Sequence, residues 1–468
     1  MLVTTTNRSH IHKKATTPRA ENVPTQEQWE EMTRPQPYDR IKIGEDAPPE
    51  QREFNSMSEA RNALGEMSYH EGVDPFVATV AGGIYARKAD APRGADDIKL
   101  NLPKYYKKDF EVELGLQHGP DAPMLVILPG IFGSRDGGFN TLVKKSAHER
   151  GMNYMVIPNA LGDDALDDAP DFHPGNPRLE AEMVLDILRE LKTQKPDFFD
   201  QVSISGYSYG ALLAANVVRA DEENPDERLI NGGMFAVSPP ENLYDSMREL
   251  DGLREHYAEG ADSIISTTLK YRRETKKYGY DRFPESEVAQ RGEGTNITEI
   301  KMSDLYGSRN DMQDMVDRID EMFEHELLPP VPWEPWKENK RKKILENMTY
   351  LQYSGDWFAK DEWLQERNLT PQQMAADYSF SQAIEKIHDT PILSLSSADD
   401  YIVNDQNVEA FRRLEAEEEP LEEMKVLDTG GHVGVLFNPR VRGLLVDFTY
   451  STAAHPEKFE QSSKARAQ

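Results

Sequence analysis

The chain has 468 residues, enough for one large α/β core with additions or for two domains. Its 54 basic and 83 acidic residues leave a net charge of −29, which repels phosphate backbones and anionic headgroups and argues against nucleic acid or a charged membrane surface as a partner. It contains no cysteine, which excludes disulfides, thiolate metal sites and a cysteine nucleophile.

Residues 1–55 are rich in Thr, Pro, Glu and charge with almost no apolar periodicity, so a disordered or loosely attached arm is expected. Met1–Arg19 is polar and lacks the apolar stretch of a secretory signal. The longest apolar runs, Phe76–Ala86 and Met124–Ile131, fall short of a membrane span. No integral membrane segment and a cytoplasmic location are therefore expected, with the oligomeric state left open. Helical patterning covers Met57–Arg87, and alternation between Leu100 and Leu116, as in Phe110-Glu111-Val112-Glu113-Leu114, predicts leading antiparallel strands.

Met124–Leu128 reads as a buried strand entering a glycine-bearing loop, Pro129-Gly130-Ile131-Phe132-Gly133-Ser134. Asn153–Pro158 is the next predicted strand, and Leu179–Leu191 a helix with Ala181, Val184, Leu185, Leu188 and Leu191 on its apolar face. Between them, the acidic run Asp163-Asp164-Ala165-Leu166-Asp167-Asp168 lacks calcium-loop spacing and reads as a solvated, charged loop. Val202–Ser205 and Gly232–Val237 are further strands, the second closed by Ser238-Pro239-Pro240. Glu241 to His388 reads as almost wholly helical. Met312, Met315, Val316, Ile319, Met322 and Phe323 share one face there, Ser308 with Asp311 forms a capping box, and Thr370-Pro371 marks a helix start. The stiff segment Leu328–Trp336 reads as an inter-helix connector ahead of a substrate wall.

Strand, helix and strand alternate across about 100–240 and again across 390–455, which predicts a mostly parallel sheet wrapped by helices. The expected organisation is a core in two parts, 56–240 and 389–456, an insertion at 241–388, and a polar tail at 457–468.

The chemistry is concentrated in four places. Gly206-Tyr207-Ser208-Tyr209-Gly210 stands between a strand and a helix, where a sharp turn exposes a serine and tolerates only small neighbours, here Gly206, Gly210 and Ala211. Ser208 is the candidate nucleophile. A carboxylate just past the Thr390–Leu395 strand could orient a histidine; Asp400, in Asp400-Tyr401-Ile402-Val403, is preferred and Asp399 is the alternative. His432, in Gly430-Gly431-His432-Val433-Gly434, has the best local context of the eleven histidines for a general base. The backbone N–H groups of Ile131 and Tyr209 are the candidate oxyanion donors, with Phe132 as second choice. Ser208 and Asp400 are 192 residues apart, and Asp400 and His432 only 32. The short gap suits one helix and one strand, whereas the long one requires an inserted domain.

Over about residues 70–450 these motifs, with Phe172-His173-Pro174-Gly175, Glu180-Ala181-Glu182, Tyr378-Ser379-Phe380 and Ile384-Glu385-Lys386-Ile387, resemble the α/β-hydrolases and within them the YheT-like group, whose relatives include acylglycerol and short-chain ester hydrolases. The resemblance implies an α/β-hydrolase fold with a helical cap at 241–388. It implies a Ser208-His432-Asp400 triad acting on a small carboxylic ester or acyl substrate without cofactor or metal. Asn159-Ala160-Leu161-Gly162 stands where the group tends to carry Arg-Gly, a departure that bears on substrate. His173 reads as a structural loop residue. An acyltransferase on the same fold, or a non-catalytic binding protein, are the other readings.

Overall fold

The computed structural model describes residues 51–68, 91–131, 133–162, 174–249, 361–417 and 419–459, together with 164, 165, 168, 172 and 351. The expected methionine-striped helical face at 312–323, the expected capping box at Ser308 and Asp311, the Leu328–Trp336 segment, His173, Phe132 and most of the expected arm lie outside them.

Eight strands form one sheet: β1 (Asp96–Leu100), β2 (Phe110–Gly115), β3 (Met124–Leu128), β4 (Asn153–Val156), β5 (Val202–Tyr207), β6 (Met234–Val237), β7 (Ile392–Ser397) and β8 (Glu422–Leu427). Their spatial order is β1-β2-β4-β3-β5-β6-β7-β8. β2 runs antiparallel to both its neighbours and every other pairing is parallel. This order, with a single reversed strand near one edge and helices on both faces, is the α/β-hydrolase fold.

Strand β3 shows why the sheet is central. All five of its residues are buried. Met124, Val126 and Leu128 point into one apolar layer, while Leu125 and Ile127 point into the other, as the two-residue period of a strand requires. Each such side chain contributes about 1.5–3 kcal/mol when fully buried.

Flanking helices close the two layers. On one side lie α3 (Pro177–Gln194), started by Asn176 with Pro177 behind it, and α4 (Tyr209–Glu222). On the other lie α1 (Met57–Gly65), α2 (Gly138–Arg150) and α9 (Pro439–Ala454). After the sixth strand come the short helices α5 (Glu362–Arg367), α6 (Pro371–Asp377) and α7 (Phe380–Ile384), then α8 (Asp405–Ala416) between β7 and β8. The predicted start at Thr370 is a full capping box with Gln373. Chain leaving β6 and chain returning to β7 touch: the Phe380 N–H donates to the Glu241 carbonyl at 2.7 Å, and the Ser381 hydroxyl to the Glu241 carboxylate at 2.8 Å. No helix among the described residues is long and apolar enough to cross a membrane.

Three local features differ from the sequence pattern, each for a tertiary reason. Glu113, on the polar phase of β2, is buried and pairs with buried Lys144 of α2 at 2.6 Å, because the packed helix covers that face. Burial raises the Glu113 carboxyl despite the lysine. Two members of the acidic run are tied to protein and not simply solvated: Asp164 accepts from the Arg135 N–H at 2.7 Å, and Asp168 from the Glu111 N–H at 3.2 Å. Finally, the end of the polar arm is pinned on α9. Phe54 is buried and its N–H donates to Ser451, while the Arg52 N–H donates to Asp447.

Candidate active site

Strands β5 to β8 lie side by side, and the loops at their C-terminal ends bring together residues far apart in the chain. Ser208 follows β5 and N-caps α4 with φ 55° and ψ −134°, a region that residues with a side chain rarely occupy. Three close approaches hold it there. A Cβ on Gly206 would collide with the Gly210 carbonyl, and one on Gly210 with the Leu128 carbonyl. One on Gly130 would stand 2.9 Å from the Ser208 Cβ. The Ser208 N–H is itself bonded to the Val237 carbonyl at 2.9 Å, locking the turn onto β6.

The His432 Nε2 lies 2.7 Å from the Ser208 Oγ, and its Nδ1 lies 2.9 Å from the Asp400 Oδ2. With Nδ1 donating to the carboxylate, Nε2 is left as the acceptor for the serine hydroxyl proton. Asp400 is fully buried, and its second oxygen accepts the Ile402 N–H at 3.0 Å, which fixes the carboxylate plane. The Tyr401 ring stands edge-on to the imidazole at 5.9 Å.

Asp399, the alternative acid, faces elsewhere. Its Oδ1 accepts the Gly431 N–H at 2.8 Å, and burial pushes its carboxyl up while the N–H groups of Gly431 and Gly430 pull it down. Adjacent aspartates thus do separate work because the backbone turns between them.

The proposed oxyanion donors belong to two elements that meet at Ser208. Tyr209 is the first residue of α4, so its amide lies at the positive end of that helix. Ile131 follows Gly130, whose close approach to the serine brings the β3 loop over it. That loop is braced by a Gly133 N–H bond to the Gly130 carbonyl at 2.9 Å. It is braced also by Arg135, which reaches Asp97 at 2.8 Å, Glu111 at 2.9 Å and Asp164. Behind Tyr209, α3 presents Glu180, a buried carboxyl that accepts the Gly175 N–H at 2.6 Å and is pushed up to about 7 by burial.

Sequence reasoning did not single out Ser238. Buried at the end of β6 with φ 47°, it accepts the Val433 N–H at 3.1 Å. Its only signal was position: a serine before a Pro-Pro pair at the C-terminal end of a strand beside the serine turn.

No family model matches the chain, and no curated protein matches it. Among solved structures, an esterase from Pyrococcus furiosus is similar at 13% identity, covering 79% of this chain and 92% of its own, with a TM-score of 0.37. A 2,6-dihydroxy-pseudo-oxynicotine hydrolase gives 14% identity, 78% and 70% coverage and a TM-score of 0.41. A proline iminopeptidase from Mycobacterium smegmatis gives 14%, with 79% and 100% coverage and a TM-score of 0.39.

Proposed function

We propose that this chain is a serine hydrolase that cleaves small carboxylic esters through an acyl-enzyme. The observation that carries the reading is the continuous line from buried Asp400 through His432 to Ser208, with contacts of 2.9 and 2.7 Å. Ser208 attacks the ester carbonyl while His432 Nε2 takes its proton, and Asp400 holds the imidazole tautomer and stabilises the imidazolium. The imidazolium then protonates the leaving alcohol, and a water deprotonated by the same nitrogen resolves the acyl-enzyme. The N–H groups of Ile131 and Tyr209 receive the oxyanion, and losing one such donor costs about 100- to 1,000-fold in rate.

The substrate class, a short- or medium-chain ester or an acylglycerol, rests on likeness to the YheT-like group. The insertion at 241–388 is read as a cap that sizes the acyl pocket. No cofactor enters the scheme.

The test is labelling with a fluorophosphonate probe, which phosphonylates an activated serine, beside turnover of p-nitrophenyl esters of increasing chain length. Wild type should label and turn over a restricted range of chain lengths, while Ser208→Ala and His432→Ala should do neither. A folded wild type that neither labels nor turns over any ester would refute the proposal.

A further inference from the structure

His432 sits on a loop that cannot hold itself. Gly430 has φ 150°, Gly431 φ 60° and Val433 φ 63°, the last a β-branched residue in the left-handed region. Gly430 is also sterically required, since a Cβ there would collide with the Ser397 hydroxyl. A chain so bent lacks the ladder bonds of a strand and the repeating bonds of a helix. Its amides need acceptors from elsewhere in the fold, and losing them would let the loop relax and carry the imidazole with it.

Both amides flanking His432 are satisfied in this way. The Gly431 N–H donates to Asp399 at the end of β7, and the Val433 N–H donates to Ser238 at the end of β6. Neither acceptor floats. The Ser238 N–H bonds the Leu395 carbonyl of β7 at 2.7 Å, and Asp399 is chained to Asp400, whose own N–H bonds the Ser397 carbonyl at 3.2 Å. The His432 loop is therefore referenced to β6 and β7 through Ser238 on one side and to β7 through Asp399 on the other.

We propose that Asp399 and Ser238 are positioning residues that clamp the His432 loop, so that the imidazole meets Ser208 and Asp400 together. The inference rests on the serine-hydrolase reading above. On it, adjacent aspartates divide the work: Asp400 acts on the ring of His432 and Asp399 on its backbone.

The experiment is steady-state ester hydrolysis and the second-order rate of fluorophosphonate labelling for Asp399→Ala, Asp399→Asn, Ser238→Ala and Asp400→Asn, with thermal melting as a check on folding. Misplacing a reacting group by about 1 Å costs on the order of 100-fold. Asp399→Ala should lower kcat and the labelling rate about 10- to 100-fold, with KM within about threefold of wild type. Asp399→Asn keeps an oxygen able to accept the Gly431 N–H and should recover most of that loss, which a role in charge alone would not allow. Ser238→Ala should cost about 3- to 10-fold in kcat and reads the same clamp should Asp399→Ala fail to fold.

Wild-type kcat in Asp399→Ala and Ser238→Ala, or an Asn variant as impaired as Ala, would overturn the clamp. Asp400→Asn separates the two readings. If it is nearly inactive while both clamp variants are normal, only the clamp fails; if it too is fully active, the triad reading fails.

Discussion

Ser208 and His432 come within 2.7 Å of each other, yet opposite means hold them there. The serine turn is held by backbone against backbone: Gly206, Gly210 and Gly130 lie so close to neighbouring carbonyls and to Ser208 that no side chain fits. The histidine loop is held by side-chain acceptors reaching backbone amides, Asp399 and Ser238. Steric packing of main chain is a property of the fold and cannot be removed without disturbing it. Hydrogen bonds from two side chains can be removed singly, so the position of His432 should be tunable by mutation where that of Ser208 is not.

The sharpest contrast is Gly210→Ala, whose new methyl would meet the Leu128 carbonyl of a central strand. It should destabilise by more than about 4 kcal/mol, a range reserved for core disruption, and urea unfolding would read it. A mild effect would show that the serine turn can yield. The clamp substitutions, in contrast, should leave the melting temperature within a few degrees of wild type.

A smaller effect tests the support behind Tyr209. Burial pushes the Glu180 carboxyl up to about 7 from an ordinary 4.5, so the folded state binds more protons between those values. Stability from this group is full below about pH 4.5 and declines as pH rises through 7. Glu180→Gln removes the titration, so its stability relative to wild type should improve from pH 4.5 to 8 by on the order of 3 kcal/mol. Urea midpoints at several pH values would show it, and a pH-independent difference would contradict it. Glu422, also pushed up to about 7, leaves a residual decline in both proteins.

The smallest expected effect lies in the serine itself. Ser208 holds a positive φ that costs about 1–3 kcal/mol in a residue with a side chain, partly offset in glycine by about 0.5–1 kcal/mol of chain entropy. Ser208→Gly should therefore melt above Ser208→Ala by a few degrees, with both inactive. Equal melting would place the strain elsewhere in the turn.

Much of the fold was legible because its signals are local. The buried run Met124–Leu128, the apolar face of the Leu179–Leu191 helix and the helix start at Thr370-Pro371 each depend on neighbours within a few residues, and each appears where expected. Glu113 and Asp164 were not legible as paired groups, because Lys144 and Arg135, which hold them, come from other elements. Ser238 could be placed at the end of its strand but not paired, because its partner Val433 stands 195 residues away.

By itself, the sequence determined the types of element and the four short motifs, since periodicity, small residues and turn chemistry act over a few positions. It left open which of two adjacent aspartates faces the histidine. Only the tertiary structure decided that, through the turn at 399–400 that sends Asp400 to the imidazole and Asp399 to the Gly431 amide. The physical reason is range: propensity and pattern are summed along the chain, whereas a hydrogen bond of 2.7 Å between residues 224 apart exists only once the parallel sheet has set strands β5 to β8 side by side.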